Sequence, residues 1–160
     1  PKSLLRHPKV ISRMEEIENG AFHEVLEDTQ FTPLHDVEKV ILCSGKLFYD
    51  LDKFREAHPQ KAKRINIVRV EQLYPFPKTQ LTPFLNGFPN LKRIIWAQEE
   101  PKNMGAWLTF GPRLRELLLD LGLKRLEIEY VGRSERASPA TGSPKAHLIE
   151  QNEILESCFD

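Results

Sequence analysis

Four short runs of the chain are almost continuously apolar and rich in β-branched residues, which is the pattern of strands covered on both faces. They are residues 39–43, 65–70, 93–97 and 127–131. The segments between them are long enough for helical crossovers. Because such crossovers are overwhelmingly right-handed and make the strands parallel, the pattern predicts an α/β fold whose strand ends share one edge of the sheet.

Apolar residues at helical spacing predict four helices, at residues 46–57, 78–85, 112–121 and 145–158. The third should bury a face of leucines, begin near Pro112 and end before Gly122. The fourth should bury one set of side chains, Leu148, Ile154, Leu155 and Cys158. Residues 22–26 could form a helical turn or a short edge strand, and we favour the edge strand.

Polar side chains follow the predicted strands at the shared edge of the sheet. Such a cluster can form an acid/base site, a ligand cleft or a buried ion network at an interface. The candidate residues are Ser44, Lys46, Glu71, Gln72, Gln98, Glu99, Glu100 and Arg133. Glu71 or Glu99 would be the base of an enzyme, but no nucleophile or oxyanion arrangement accompanies them.

Two other features near this edge have alternative interpretations. Ser44-Gly45-Lys46 is similar to an anion cradle, but it lacks the glycine spacing of known phosphate loops, so a turn glycine followed by a solvated lysine also explains it. Tyr74 and Phe76 lie in a stiff segment with two prolines, and Trp107 follows at helical spacing from Met104. These three aromatic residues could anchor a partner or pack on the domain's own core.

Composition excludes several classes of function. Of 160 residues, 23 are Lys or Arg and 23 are Asp or Glu, so no net charge attracts nucleic acid or an anionic membrane. No apolar run approaches the roughly 20 residues that span a bilayer, and no signal peptide is visible. Cys43 and Cys158 form no C-x-x-C pair, and the five histidines show no ligand spacing. We expect a soluble protein of a reducing compartment that binds no metal.

The first residues, PKSLLRHP, carry two prolines and three basic side chains around one Leu-Leu pair. The chain begins at Pro1 without an initiator methionine. We therefore expect residues 1–20 to be a linker from an upstream domain, residues 21–160 to be one domain, and the chain to be a piece of a longer polypeptide.

Six separated motifs resemble, in order and spacing, the C-terminal domain of the thiamine-diphosphate-dependent decarboxylase component of the 2-oxoglutarate dehydrogenase complex. The motifs are PKSLLRHP (1–8), CSGKLFYDL (43–51), VRVEQLYPFP (68–77), WAQEEPKNMGAW (96–107), YVGR (130–133) and SPATG (138–142). The resemblance covers essentially the whole chain. It implies the transketolase C-terminal fold, a three-layer α/β/α sandwich with a mixed five-stranded sheet whose one antiparallel edge strand would be residues 22–26.

The resemblance also implies a role without catalysis. Members of this family are homodimers that decarboxylate 2-oxoglutarate on thiamine diphosphate, with magnesium, and pass a succinyl group to the dihydrolipoyl succinyltransferase component. Their cofactor-binding and catalytic residues belong to the two preceding domains, so this chain is expected to bind no cofactor itself. We expect a scaffold and dimer-contact domain, inactive alone, from a bacterial cytoplasm or a mitochondrial matrix.

Two alternatives remain open. Asn103-Met104-Gly105 looks more like the related 2-oxoadipate enzyme, whereas SLLRHP and SPATG resemble the 2-oxoglutarate enzyme. The domain could instead be a regulatory module that binds acetyl-CoA or a nucleotide, with Lys46 and Arg133 holding the anion. In a scaffold domain the strand-end cluster would be a polar network at an interface. In a regulatory module it would be a binding site.

Overall fold

A computed structural model describes residues 2–28, 30 and 32–160 of the chain. Pro1, with which the expected linker begins, lies outside the described residues, as do Thr29 and Phe31. In chain order the elements are α1 (Met14–Asn19), β1 (Val25–Leu26), β2 (Lys39–Cys43), α2 (Leu47–Ala57), α3 (Pro59–Ala62), β3 (Ile65–Val70), α4 (Lys78–Asn86), β4 (Arg93–Pro101), α5 (Trp107–Asp120), β5 (Glu127–Arg133) and α6 (Pro144–Phe159). Short 3-10 helices lie at Lys2–Leu4 and Leu34–Asp36.

The strands form one five-stranded sheet in the order β1-β3-β2-β4-β5. Strands β2 to β5 are parallel, and β1 pairs antiparallel with β3 through Val25 opposite Val70. The expected mixed sheet with one antiparallel edge strand is therefore confirmed. The edge strand is shorter than the expected residues 22–26.

Alternate residues of the central strands face two separate cores, because successive side chains of a strand point to opposite faces. Val40 and Leu42 of β2 pack in a core with α4 and α5. Ile41 and Cys43 pack in a second core with α2 and α6. The sheet is thus covered on both faces, which explains why the strands read as continuous apolar runs.

Two helical predictions need correction. Helix α5 begins at Trp107, so Pro112 lies in its interior and not in its first turn. Its proline ring is exposed and leaves the buried face of leucines intact. In α6 the predicted apolar set holds for Ile154, Leu155 and Cys158, but Leu148, which lies nearer the start of the helix, is 64% exposed.

Strand β4 does not end at Ala97, as the sequence suggests, but continues to Pro101. Ala97 pairs with Val131, and the next pairing joins Pro101 to Arg133, so three residues of β4 face one residue of β5. The three polar residues after Ala97 therefore form a bulge inside the strand. A bulge of this kind redirects side chains next to functional sites.

None of the described helices is both long enough and apolar enough to cross a membrane.

Candidate functional site

The main cleft lies where the order of the strands reverses. From the central strand β2 the chain passes through α2 to β3 on one side, whereas β4 lies on the other side. Helix α2 follows β2 in one core, and α5 follows β4 in the other core. The two connections therefore diverge to opposite faces and leave a crevice at the carboxyl ends of the strands, which is where open α/β sheets bind ligands.

The cleft has a volume of about 660 Å³. Five of the eight polar residues predicted at the sheet edge contribute to its walls, namely Ser44, Lys46, Gln98, Glu99 and Glu100. The remaining lining residues are Gly45, Leu47, Leu73, Tyr74, Trp96, Ala97, Gly105, Ala106, Thr109 and Arg113. These five residues form the polar wall. The sequence analysis named Tyr74 of the apolar wall as a candidate but did not single out Arg113 or the rest of that wall.

Gln98 is the first residue of the bulge, and its side-chain amide is engaged in internal hydrogen bonds. Its Oε1 accepts from Trp96 Nε1 at 2.9 Å and from the backbone N–H of Trp107 at 3.1 Å. Its Nε2 donates to the carbonyl oxygens of Met104 at 2.8 Å and of Pro101 at 3.2 Å. The buried amide thus joins the strand, the following turn and the first residue of α5.

Gly105 approaches the same amide closely. Its φ is +67°, and a Cβ there would lie 2.9 Å from Gln98 Nε2. Tyr130 on β5 supports the bulge from the other side, since its hydroxyl hydrogen-bonds the carbonyl oxygens of Glu100 at 3.0 Å and Arg133 at 2.8 Å. Burial raises the pKa of Tyr130 to about 12. These contacts fix the backbone of the bulge.

Lys46 is neutralised by two carboxylates. Its Nζ donates to Asp50, one helical turn away in α2, and to Glu99 Oε1 at 3.3 Å. Burial acts to lower the pKa of Lys46, but the hydrogen bond to Asp50 and the charge of Glu99 outweigh it and raise the pKa above its ordinary value. Asp50 also accepts from Gln151 of α6 at 3.0 Å. The contacts of Lys46 therefore cross-link α2 to β4, and they do not mark it as a ligand for an anion.

The other predicted polar residues of β3 and β4 are separate from this network. Glu100 is exposed at the edge of the cleft. Glu71 is partly buried with an oxygen 4.0 Å from Arg69 Nε, and Gln72 donates to the carbonyl oxygen of Pro75 at 3.0 Å. Neither Glu71 nor Gln72 lines the cleft.

Arg133 lies in a different cavity, between β5 and α6. Its Nε is 2.9 Å from Glu150 Oε2, and its Nη2 donates to His147 Nδ1 at 2.8 Å. Arg136 Nη2 reaches the other oxygen of Glu150 at 2.9 Å. Lys46 lines the main cleft and Arg133 lines the second cavity, so the structure does not bring together the two cations proposed to hold one anion.

The three candidate aromatic anchors divide between core and surface. Phe76 packs on Phe110 with ring centres 4.9 Å apart, and Trp107 packs on Tyr130 at 5.4 Å. Tyr74 is 81% exposed and forms part of the cleft wall. Phe76 and Trp107 therefore pack within the domain, and only Tyr74 of the three presents its ring to solvent.

Sequence reasoning missed a buried cluster of ion pairs beside α2. Arg55 Nη1 lies 2.7 Å from both carboxylate oxygens of Asp28, and its Nη2 donates to Asp52 Oδ1 at 2.6 Å. Lys9 donates to the second oxygen of Asp52, and Asp28 also accepts from the backbone N–H of Ile67 at 2.7 Å. The only local signal for this cluster was the i, i+3 spacing of Asp52 and Arg55.

The cofactors implied by the resemblance do not fit the described residues. No group of three or more His, Cys, Asp or Glu side chains among residues 2–28, 30 and 32–160 could hold a metal ion such as magnesium. A diphosphate needs several uncompensated cations. In the main cleft Lys46 already serves two carboxylates, and Arg113 is the one other cation among the described lining residues.

Comparison with known proteins decides the family. The model of the family described as 2-oxoglutarate dehydrogenase C-terminal matches residues 11–159. The chain belongs to this family. The resemblance seen in the six motifs is thereby confirmed, and the chain is a C-terminal domain of the 2-oxoglutarate dehydrogenase E1 component.

Curated E1 components resemble this C-terminal domain along its whole length. The chain is 46% identical over 157 residues to the 2-oxoglutarate dehydrogenase E1 component of Geobacillus sp. (strain WCH70), covering 98% of the chain. It is 40% identical to that of Azotobacter vinelandii and 43% identical to that of Rickettsia felis, with 99% of the chain covered in both. It spans only 16% of the length of each of these relatives.

Proposed function

We propose that this E1 C-terminal domain is a scaffold that makes contacts between domains and subunits, and that it supplies no catalytic group. The observation that carries the proposal is a run of exposed apolar side chains at the start of the chain. Leu5 and Ile11 are 82% and 80% exposed, and Met14, Ile17 and Phe22 are each about two-thirds exposed. Exposed apolar side chains concentrated in one segment of the chain suit a surface that packs against other protein.

The chemistry of the main cleft supports the same proposal. Its buried amide, Gln98, is saturated by backbone and indole partners, and Lys46 is paired with Asp50 and Glu99. Among the described residues that line the cleft, Ser44 is the one serine, cysteine or histidine, and no hydrogen bond joins its hydroxyl to a base there. These hydrogen bonds and ion pairs of Gln98 and Lys46 stabilise the connections of β2 and β4. Neither side chain is free to attack a substrate.

For the whole protein we propose the activity named for its relatives. It would be a homodimer that decarboxylates 2-oxoglutarate with thiamine diphosphate and magnesium held by preceding domains, and transfers succinyl groups to the lipoyl arm of the succinyltransferase. Such a protein would act in the tricarboxylic acid cycle, in a bacterial cytoplasm or a mitochondrial matrix. The E1 relatives, all named for 2-oxoglutarate, favour that substrate over 2-oxoadipate.

Turnover measurements test the absence of catalysis. The purified 160 residues, with thiamine diphosphate, magnesium and an artificial electron acceptor, should decarboxylate no 2-oxoglutarate. The full-length E1 protein is the positive control in the same assay. Turnover by the isolated chain above the background without enzyme would contradict the proposal.

Serine substitutions in full-length E1 test the contact role. Ile11→Ser and Ile17→Ser should weaken the dimer or loosen interdomain packing, which analytical ultracentrifugation and thermal melting would detect. Leu119→Ser on α5 is the control, since Leu119 is an apolar residue that is 52% exposed and lies outside this run. Identical sedimentation and melting for all three variants and the wild type would refute a contact role for the segment.

Effector binding in the main cleft is a second candidate function. It is favoured by the position of the cleft at the reversal of strand order and by its volume of about 660 Å³, which suits a small ligand. Titration calorimetry of full-length E1 with acetyl-CoA or AMP tests it, with Lys46→Ala as the cleft variant and Arg133→Ala as the control in the second cavity. Binding that Lys46→Ala abolishes and Arg133→Ala preserves would support the cleft.

A further inference from the structure

One stripe of helix α2 receives the N-terminal segment of the chain, residues 2–22. Tyr49, Asp52 and Glu56 follow one another at i, i+3 and i+7, so they lie on the same face of the helix. The ring of His7 packs on Tyr49 with centres 5.1 Å apart. Lys9 donates to Asp52 and, at 2.7 Å, to Glu56. Two neighbouring residues of the segment thus contact one face of α2.

The Lys9 contact completes the buried ion cluster described above. The side chains of Asp28, Asp52 and Arg55 are at most 4% exposed, and together they carry one uncompensated negative charge. Lys9 brings the fourth charge and makes the cluster neutral. A buried carboxylate without its full complement of partners is costly, so docking of the segment and stability of the cluster reinforce each other.

The exposed apolar residues Ile11 and Met14 lie close to Lys9 along the chain, so the contact of Lys9 limits where they can lie. Ile11 is two residues beyond Lys9, and Met14 is five beyond it, so their Cα atoms lie within about 7 Å and about 18 Å of that of Lys9 even in a fully extended chain. Fixing Lys9 therefore confines both residues to one part of the surface.

We propose that His7 and Lys9 form a clasp that docks residues 2–22 on α2 and holds the apolar side chains of this segment in one orientation. The clasp itself is independent of the role of the segment, whereas its use in assembling E1 rests on the function proposed above. Lys9 is a positioning residue that acts through Asp52 and the cluster behind it.

Backbone ¹⁵N relaxation of the 160-residue chain tests the clasp directly. In the wild type, the residues from 7 to 11 that carry a backbone N–H, which are all but Pro8, should have order parameters close to those of α2, about 0.8. Lys9→Met should lower them below about 0.6, the range of flexible backbone. Lys53→Met is the matched control, because Lys53 is an exposed lysine of α2. It should leave the order parameters of residues 7–11 unchanged.

Two further variants separate the contribution of the His7 ring contact from that of the Lys9 ion pairs to the order of the segment. Tyr49→Leu should remove the ring contact of His7 and lower the order parameters less than Lys9→Met, because the ion pairs remain. Lys9→Arg should restore order, because it returns a cation to Asp52. Unchanged order parameters in Lys9→Met, in a chain whose dispersed spectrum shows that it is folded, would overturn the clasp.

Full-length E1 distinguishes failure of the clasp from failure of the proposed function. If Lys9→Met frees the segment in the isolated chain and weakens the E1 dimer severalfold by sedimentation, both proposals stand. If it frees the segment but leaves the dimer and melting temperature unchanged, the clasp stands and its role in assembly is refuted. An ordered segment in Lys9→Met refutes the clasp whatever the dimer does.

Discussion

The domain stabilises two of its buried polar regions by different means. At the carboxyl edge of the sheet, one neutral amide, Gln98, bonds an indole and several backbone groups. Beside α2, the charged Arg55 bonds two carboxylates, Asp28 and Asp52, and a lysine completes the set. The first region is a network of neutral groups, and the second is a network of ions.

The two regions also differ in how far their members are separated along the chain. All partners of the Gln98 side chain lie between residues 96 and 107. The ion cluster joins residues 9, 28, 52 and 55, with a backbone group at residue 67. A local network fixes one turn of the backbone, whereas the ion cluster connects four separate parts of the fold. The ions should therefore respond more strongly to the loss of one member.

The largest effect is expected from Arg55→Met. This change leaves two buried carboxylates without their common cation, and breaking a buried pair in this way costs roughly 3–5 kcal/mol. Urea unfolding followed by tryptophan fluorescence measures the loss. Arg64→Met is the control, since Arg64 also pairs with a glutamate but is 63% exposed. Equal losses in the two variants would show that burial does not set the strength of the Arg55 cluster.

A smaller loss is expected from Gln98→Met, which keeps the shape of the side chain and removes its polar atoms. The indole N–H of Trp96 and the backbone N–H of Trp107 lose their acceptor, and a buried unpaired donor costs roughly 1–3 kcal/mol. Gln72→Met is matched chemically and removes a single bond to Pro75. If Gln98→Met costs no more than Gln72→Met in urea unfolding, the bulge does not depend on the amide.

The contrast also shows which parts of the molecule the sequence could reveal. The strand runs of β2 and β3 coincide with the predicted residues because both faces of these strands are buried, and a continuous apolar run records that directly. The polar wall of the main cleft followed from parallel strand ends meeting at one edge. The bulge in β4 was missed because polar residues after an apolar run look like a strand end, and nothing local shows that pairing resumes at Pro101.

The ion cluster lay beyond the sequence for a different reason. An Asp and an Arg at i, i+3 on a helix normally form a solvated pair, and only tertiary contact decides that Asp52 and Arg55 are buried. The partners Asp28 and Lys9 come from segments without periodic pattern. Arg133 shows the same limit of sequence analysis. It ends β5 at the edge of the sheet shared by the other strand ends, but its side chain turns toward α6 and contacts Glu150 and His147.

Acid should affect the ion cluster before the amide network. Burial acts to raise the pKa of Asp52, but hydrogen bonds from Lys9 and Arg55 outweigh it and hold that pKa below its ordinary value of 3.8. The folded state therefore binds this proton less readily than the unfolded state. The stabilising contribution of Asp52 is complete above the ordinary pKa, and it is lost as the pH falls through the lower pKa of the folded domain.

Urea unfolding between about pH 6 and about pH 3 measures this loss. Asp52→Asn should be less stable than the wild type near neutral pH, and the difference between the two should shrink as the pH falls. Gln98→Met supplies the comparison, because its deficit involves no titrating side chain and should stay nearly constant. A constant deficit for Asp52→Asn as well would show that Asp52 does not contribute through its charge.

The smallest effect concerns the close approach at Gly105. A Cβ at this position would lie 2.9 Å from the Gln98 amide nitrogen, whereas a Cβ at Gly122 would meet nothing within 4 Å. Both glycines have positive φ, +67° and +72°, so alanine at either position is expected to cost roughly 1 kcal/mol of backbone strain. Gly105→Ala should cost about a further 1 kcal/mol, because the amide must shift and its hydrogen bonds weaken.

The difference in unfolding free energy between the two alanine variants, measured by urea unfolding, thus isolates the contact with Gln98. In a Gln98→Met background that difference should change. If Gly105→Ala and Gly122→Ala are equally stable, the turn after β4 has room to relax, and the amide network is less rigid than its short hydrogen bonds indicate.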